Sequence, residues 1–355
     1  MTAAPRDPIA FDFGVNFKSS GERVLGERAR RIANAARGMP YHHAFLDDYM
    51  RQINPHDLIL IGARSGAGKT ELARSIAAAA ALTGRRVHIF ALEAEENEFE
   101  MRTKFSVLAE LVFRDRIVVP GGFNYPDWYC GRHERHLVNI DEEATEIIAT
   151  HYKTLHTYYK GSKFSPDDIR KMFLAVQDQT DLIILDHLHY VDIDDDNENR
   201  GFKLAVQTIR DIAIAIGRPV ILVVHLRKAD LHVKGLVPVL DDIHGSSDTG
   251  KISTNAVMLA PATRQQLKEC GYVAPKHIAS TFFGISKYRV GGATNLVALC
   301  SFDWHRRAYE DHYTLGRATK NGTSFEPLGT DELPPWAHRH QPLTVPMLPG
   351  IGAQP

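Results

Sequence analysis

The strongest chemical signal in the chain is the run Ala63, Arg64, Ser65, Gly66, Ala67, Gly68, Lys69, Thr70. Two glycines among small residues precede a lysine and a hydroxyl, which is the phosphate-loop (Walker A) pattern with alanine in its first glycine position. Glycines let successive backbone N–H groups converge on one anion, and a helix that follows adds the positive end of its dipole. In that arrangement Lys69 reaches the outer phosphates of ATP, and the Thr70 hydroxyl is a ligand for the Mg2+ that travels with the nucleotide. The chemistry is nucleotide binding and phosphoryl transfer.

Three more side chains follow apolar runs. Asp181 to Asp186 reads DLIILD, four apolar residues closed by a carboxylate that emerges beside a phosphate loop to hold Mg2+, the Walker B layout. Arg86 to Leu92 (RVHIFAL) delivers Glu93, a candidate to orient the attacking water; its neighbours Glu95, Glu96 and Glu98 also fit a solvated acidic loop. Pro219 to His225 (PVILVVH) ends on a histidine that either senses the terminal phosphate or is structural. Ligands of open parallel sheets bind at the carboxyl ends of their strands, so one rim would carry all three.

Positioning these groups takes strands buried on both faces, each followed by a helix. Leu58 to Ile61 is the first strand, and Glu71 to Leu82 is the helix behind the loop. Ser165-Pro166-Asp167-Asp168 starts a helix, with a serine cap, proline at the first position and acid in the first turn. Phe202 to Ile216 is an amphipathic helix stopped by Gly217 and Pro219. Phe282 to Val290 and Asn295 to Phe302 are antiparallel-type strands joined at Gly291-Gly292, with Lys287 and Arg289 alternating onto one face. Glu22 to Arg37 is an amphipathic helix, expected as an amino-terminal arm over residues 1–39. Residues 113–163 are expected as a surface insertion, and 312–355 as a proline-rich, flexible tail. Cys130, His133 and His136 crowd one segment, but no second cluster at zinc spacing accompanies them.

The chain of 355 residues is 44% hydrophobic and 24% charged, an ordinary globular composition. No apolar run approaches the roughly 20 residues of a membrane span, and the first residues lack a signal-peptide layout, so a cytoplasmic protein is expected. Three scattered cysteines give no disulfide framework. A formal net charge of -1 excludes a wholly basic nucleic-acid binder and leaves local patches or charge pooled between subunits.

The order of motifs resembles the RecA-like ATPase core of hexameric replicative helicases, the DnaB type with its phage and mitochondrial relatives. GARSGAGKT at Gly62 to Thr70, FALEAEE around Glu93, DLIILDHLHY at Asp181 to Tyr190, VVHLRK at Val223 to Lys228, IHGSS at Ile243 to Ser247 and KYRVGGAT at Lys287 to Thr294 carry it, between about Pro40 and Asp311. The resemblance implies an α/β fold: a RecA-like P-loop NTPase with a mostly parallel, twisted sheet flanked by helices and an antiparallel hairpin near the carboxyl end. It implies that Glu93 activates water and that His225 senses the γ-phosphate. Lys287 and Arg289 are implied to reach a neighbouring subunit's nucleotide. Arg227, Lys228, Lys234 and the segment His244, Gly245, Ser246, Ser247 are implied to contact single-stranded DNA in a central channel. His244 and Ser247 stand where the family usually has arginine and glycine.

The function expected is an ATP-driven, ring-forming helicase and translocase on single-stranded DNA, working as a homo-oligomer, a hexamer by the resemblance, with a separate primase or loader as a possible partner. The alternative is a RecA-like regulatory or loader ATPase that does not unwind DNA. A nucleotide kinase would share the phosphate loop but leaves the Lys287 and Arg289 pair unexplained.

Overall fold

The structure is a computed structural model that describes residues 19–119, 122–132, 134–160, 164–191, 198–226, 235–243, 247–319 and 322–343. It divides into residues 1–38 and 39–355. In the first unit the expected single helix is broken. Ser19 caps α1 (Ser20–Val24) in a capping box with Glu22, Gly26 takes a left-handed conformation, and α2 (Glu27–Arg37) follows.

The second unit is built on one sheet of ten strands. In chain order it runs α3 (Ala44–Met50), β1 (Leu58–Ala63), α4 (Lys69–Leu82), β2 (Val87–Ala91), α5 (Glu98–Arg114), α6 (Tyr125–Tyr129), α7 (Glu134–His151) and β3 (Leu155–Tyr159). There follow α8 (Pro166–Val176), β4 (Leu182–Asp186), α9 (Glu198–Ile216), β5 (Val220–His225), α10 (Ser247–Ile252), β6 (Asn255–Pro261), α11 (Arg264–Glu269), β7 (Ile278–Tyr288), β8 (Leu296–Asp303), β9 (Ala308–Ala318) and β10 (Phe325–Pro327). The spatial order is β10-β9-β8-β7-β6-β1-β5-β4-β2-β3, parallel from β6 to β3 and antiparallel from β6 to β10.

Every residue of β1 and β4 is buried, as sheet centres covered on both faces require. Alternate side chains divide between two cores. Ile59, Ile61 and Ala63 pack with Leu72, Ala73 and Ile76 of α4 and Phe45 of α3; Leu58 and Leu60 pack with Phe173 of α8 and Ile209 of α9. The Ser165 cap forms as expected, its hydroxyl accepting from the Asp168 N–H while the Asp168 carboxylate accepts from the Ser165 N–H.

Two expected boundaries differ. Within residues 113–163, α6 and α7 do build a separate cluster, against α5 and around Phe105, Trp128 and Leu137. Yet Leu155–Tyr159 pairs with β2 and closes the sheet as its edge strand, so the insertion ends sooner than expected. Its sequence, LHTYY, carries little apolar signal: His156 is exposed and the other four residues are half-buried. Nor is the stretch from 312 a loose tail over its described part. Tyr313 on β9 donates a 2.9 Å hydrogen bond to buried Asp48, Phe325 on β10 is 3% exposed against Phe282, and Trp336 packs on Phe45 and Tyr49.

Replacing Phe325 by alanine is therefore expected to cost about 3–5 kcal/mol, the range for emptying a buried aromatic site. An unfolding free energy from chemical denaturation lowered by less than about 1 kcal/mol would return this segment to the status of a dispensable tail.

Candidate nucleotide site

β1 ends at Ala63, level with His225 at the end of β5, and Asp186 at the end of β4 lies level with Ala91 of β2. The Leu92 N–H donates to the Asp186 carbonyl at 2.6 Å, which brings Glu93 to the same rim. Four segments distant in sequence thus end together on one side of the sheet. Between them lies a cavity of about 350 Å³ lined by Ser65, Gly66, Gly68, Lys69, Thr70, Glu93, Asp186 and His225 among others. Ala63 and Ala67 are buried beneath the loop, and Arg64 is exposed. Gly66 and Gly68 have φ of 76° and 89°, the left-handed region that lets the loop curl and hand over to α4 at Lys69.

Lys69 is 4% exposed, and its Nζ donates to the carbonyls of Ala63 and Arg64, each at 3.1 Å, while lying 3.4 Å from His225 Nδ1. Burial lowers its pKa, against the pull of Asp186 and Glu93. Burial lifts the Asp186 carboxyl to about 7, opposed by a hydrogen bond from Thr70 and reinforced by the Glu93 charge. Asp186 Oδ1 accepts no hydrogen bond although it is buried. A hydroxyl beside an unsatisfied carboxylate is the hard-oxygen set that suits Mg2+, so Thr70 and Asp186 fit that ion.

Glu93 is 42% exposed at its side chain, and its Oε2 lies 2.7 Å from His187 Nε2 and 4.0 Å from His225 Nε2. Of the acidic run after β2, Glu93 and Glu98 line this cavity, whereas Glu95 and Glu96 line only a neighbouring one, which Glu98 shares with Tyr125 and Tyr129.

Several groups at the site escaped the sequence reading. Glu71, buried one turn into α4, is ringed by Arg74 at 3.0 Å, Arg102 of α5 and Arg307 of the β8–β9 turn. Burial alone would raise this carboxyl, but the three guanidinium groups outweigh it and hold it down to about 2. Arg307 lies 4.5 Å from the Tyr125 ring centre and 5.8 Å from that of Trp304, and Trp304, 46% exposed, lines the same cavity. No sequence spacing joins Glu71, Arg102 and Arg307; only the fold does.

Of the remaining predicted residues, Lys287 and Arg289 do not line this cavity. Tyr288 pairs with Asn255, at the amino end of β6, and the Arg289 N–H donates to the Thr254 carbonyl. Thr254 in turn bonds Leu58, the first residue of β1, so Arg289 sits at the opposite end of the sheet from the loop. Arg289 is exposed, while Lys287 is half-buried and donates to the carbonyls of Gly250 and Lys251 at 2.7 and 2.8 Å. Arg227, Lys228, Lys234, His244, Gly245 and Ser246 lie outside the described residues, as does His133; Ser247 opens α10.

A family model described as "AAA domain" matches residues 44–230, more than half of the chain. The chain belongs to this AAA domain family. Two curated relatives, each named replicative DNA helicase DnaB and drawn from two strains of Helicobacter pylori, are 22% and 23% identical over 242 residues. Those matches take in 66% of this chain and 45% of each relative, so the chain spans less than half the length of the relatives. Among solved structures, the ATPase domain of G40P superposes with a TM-score of 0.63 at 17% identity, covering 82% of this chain and 99% of that one. A DnaB-like replicative helicase, solved with its interactions with primase, gives 0.63 at 16% identity, covering 83% and 67%. The fold of this AAA domain chain is that of the RecA-like ATPase core of DnaB-type helicases.

Exchanging Glu71 for glutamine leaves three guanidinium groups around a neutral partner. Stability at pH 7 should fall by about 3–5 kcal/mol, the cost of stripping one partner from a buried ion cluster. Because the folded-state pKa is depressed, the charged carboxylate stabilises fully above the ordinary 4.5 and loses its effect as the pH falls toward 2. Denaturant titrations of both proteins from pH 7 to pH 2.5 should therefore converge at the acid end. Curves that stay parallel throughout would contradict this assignment.

Proposed function

We propose that the protein is an ATP-driven, ring-forming translocase and helicase on single-stranded DNA. The observation that carries this reading is the place of Arg289. Five residue steps of β1 separate its backbone level from the phosphate loop, about 16 Å of strand, more than an arginine side chain spans. Arg289 cannot serve its own chain's nucleotide. Arg210 of α9 lies close enough for the two like charges to interact, and Lys287 is influenced by both. Burial and these neighbours together lower the pKa of Lys287. Three cations gathered at the sheet's amino end make a receptor for an anion, and a neighbouring subunit's nucleotide supplies one. Ring closure by a head-to-tail contact would bring each such cluster to the next loop.

Catalysis would rest on positioning and charge, since phosphoryl transfer needs little covalent help. Backbone N–H groups from Ala63 to Thr70 would cradle the phosphates, and Lys69 would leave its two carbonyls for the outer ones. Thr70 and Asp186 would hold Mg2+, which when bound neutralises charge on the phosphates. Glu93 would orient and deprotonate water. His225, touching Lys69 on one ring nitrogen and facing Glu93 with the other, would report the terminal phosphate to β5 and onward to residues 227–234. Trp304, exposed where it lines the cavity, would stack on the base. Lys287 holds the end of α10, which ties the subunit-facing edge to the segment that follows residues 244–246. A hexamer, and a separate primase or loader, belong to the same proposal; the primase contact in a solved relative concerns that protein.

Lys69→Ala should abolish nucleotide binding or hydrolysis, whereas Glu93→Gln should keep binding and lose turnover, because the lysine acts in the ground state and the glutamate only during reaction. The wild type should hydrolyse ATP faster with single-stranded DNA and separate a forked duplex. Stimulation without strand separation would favour the loader ATPase, and normal turnover by Glu93→Gln would remove that residue from the site.

A further inference from the structure

Glu93, His187 and His225 offer a second kind of chemistry at the same rim. One carboxylate oxygen and one ring nitrogen from each histidine lie within 4.8 Å of one another. The His187 and His225 rings stack with centroids 4.1 Å apart and planes 23° apart, so both Nε2 atoms face Glu93. Donors around a tetrahedral zinc ion at 2.0–2.1 Å stand about 3.3 Å from each other. The observed separations from Glu93 Oε2, 2.7 and 4.0 Å, bracket that value.

We propose that Glu93, His187 and His225 form an inhibitory site for a divalent transition metal of the zinc class, separate in donor set from the Thr70 and Asp186 oxygens suited to Mg2+. Two imidazoles and a carboxylate suit Zn2+ or Co2+, whereas Mg2+ prefers oxygen donors and keeps its waters. Occupancy has two consequences. Glu93 becomes a metal ligand and no longer accepts a proton from water. A metal on His225 Nε2 also forces the proton onto Nδ1, the nitrogen 3.4 Å from Lys69 Nζ, so two donors would face each other and Lys69 would withdraw to Ala63 and Arg64. Binding rests on the donor geometry alone; inhibition rests also on the catalytic roles proposed above.

Co2+ is the probe, because a site of low coordination number containing imidazole gives visible d–d absorption far more intense than the weak band of the octahedral aqueous ion. Titrating the nucleotide-free full chain with CoCl2 should produce one such site per chain, which ZnCl2 bleaches at stoichiometric amounts and millimolar Mg2+ does not. His187→Ala and Glu93→Gln should each weaken Co2+ binding at least about tenfold, the lower end of what even an outer-sphere partner is worth. Glu93 is at the surface, so its exchange reports on the site even if the buried His187 variant fails to fold. Stacked His88 and His156, and His277 and His305, provide the competing explanation. A spectrum that survives both variants, or no absorption beyond that of the aqueous ion, overturns the proposal. Stoichiometric binding with undiminished ATP turnover would overturn the inhibition and would count against Glu93 and His225 in hydrolysis.

Discussion

Parallel register across β1, β5, β4 and β2 is the constraint on which everything else depends. Pairing Ala63 with His225, Leu185 with Leu222 and Ala91 with Asp186 is what makes a lysine, an aspartate, a glutamate and a histidine from four segments end at one cavity. Side chains alternate along a strand, so a slip of one residue would turn each strand's apolar set to the wrong core and carry its terminal polar group away from the loop. The division of Ile59, Ile61 and Ala63 from Leu58 and Leu60 between two cores prevents that slip. Hydrophobic packing thus fixes the position of charges that do not themselves stabilise the fold.

Those charges are balanced internally before any nucleotide arrives. Lys69 rests on two loop carbonyls and Asp186 is pushed toward its protonated form by burial, so each holds a position that phosphate and a cation can take over. The Glu71 cluster differs: three arginines surround one buried carboxylate, and Arg102 and Arg307 also line the cavity. Arg102 comes from α5 and Arg307 from the β8–β9 turn, while Tyr125 of α6 covers Arg307. The segment between β2 and β3 is therefore joined to the back of the phosphate loop by charge and by ring contact, which gives the insertion a mechanical connection to the site.

What could be read from the sequence was what is local. The phosphate loop, the DLIILD strand, the PVILVVH strand and the Ser165 cap each carry their meaning within about ten residues, and each is found where expected. The sheet edges were hidden for a physical reason: Leu155–Tyr159 is half-buried and polar, and β10 has only three residues, so neither leaves an apolar run. Tyr313 and Phe325 are core residues embedded in polar or proline-rich sequence, which made residues 312–343 read as a tail. The Glu71 cluster and the meeting of His187 with Glu93 depend on chain separations no spacing rule encodes. Arg289 was legible as a residue, but its place at the far end of the sheet came only from the register of β7 on β6.

The central claim is that each nucleotide site is completed by the neighbouring subunit's far edge. An arginine given in trans to a transferring phosphoryl group is worth about 10³ to 10⁵ in rate. Arg289→Ala retains its own loop and Lys69→Ala retains a good Arg289, so each protein alone should be inactive. The deciding measurement is ATP turnover after mixing the two under subunit exchange. Partial recovery that disappears on dilution below the assembly concentration is the predicted result; full activity of Arg289→Ala alone, or no recovery although mixed oligomers are shown to form, would contradict a shared site.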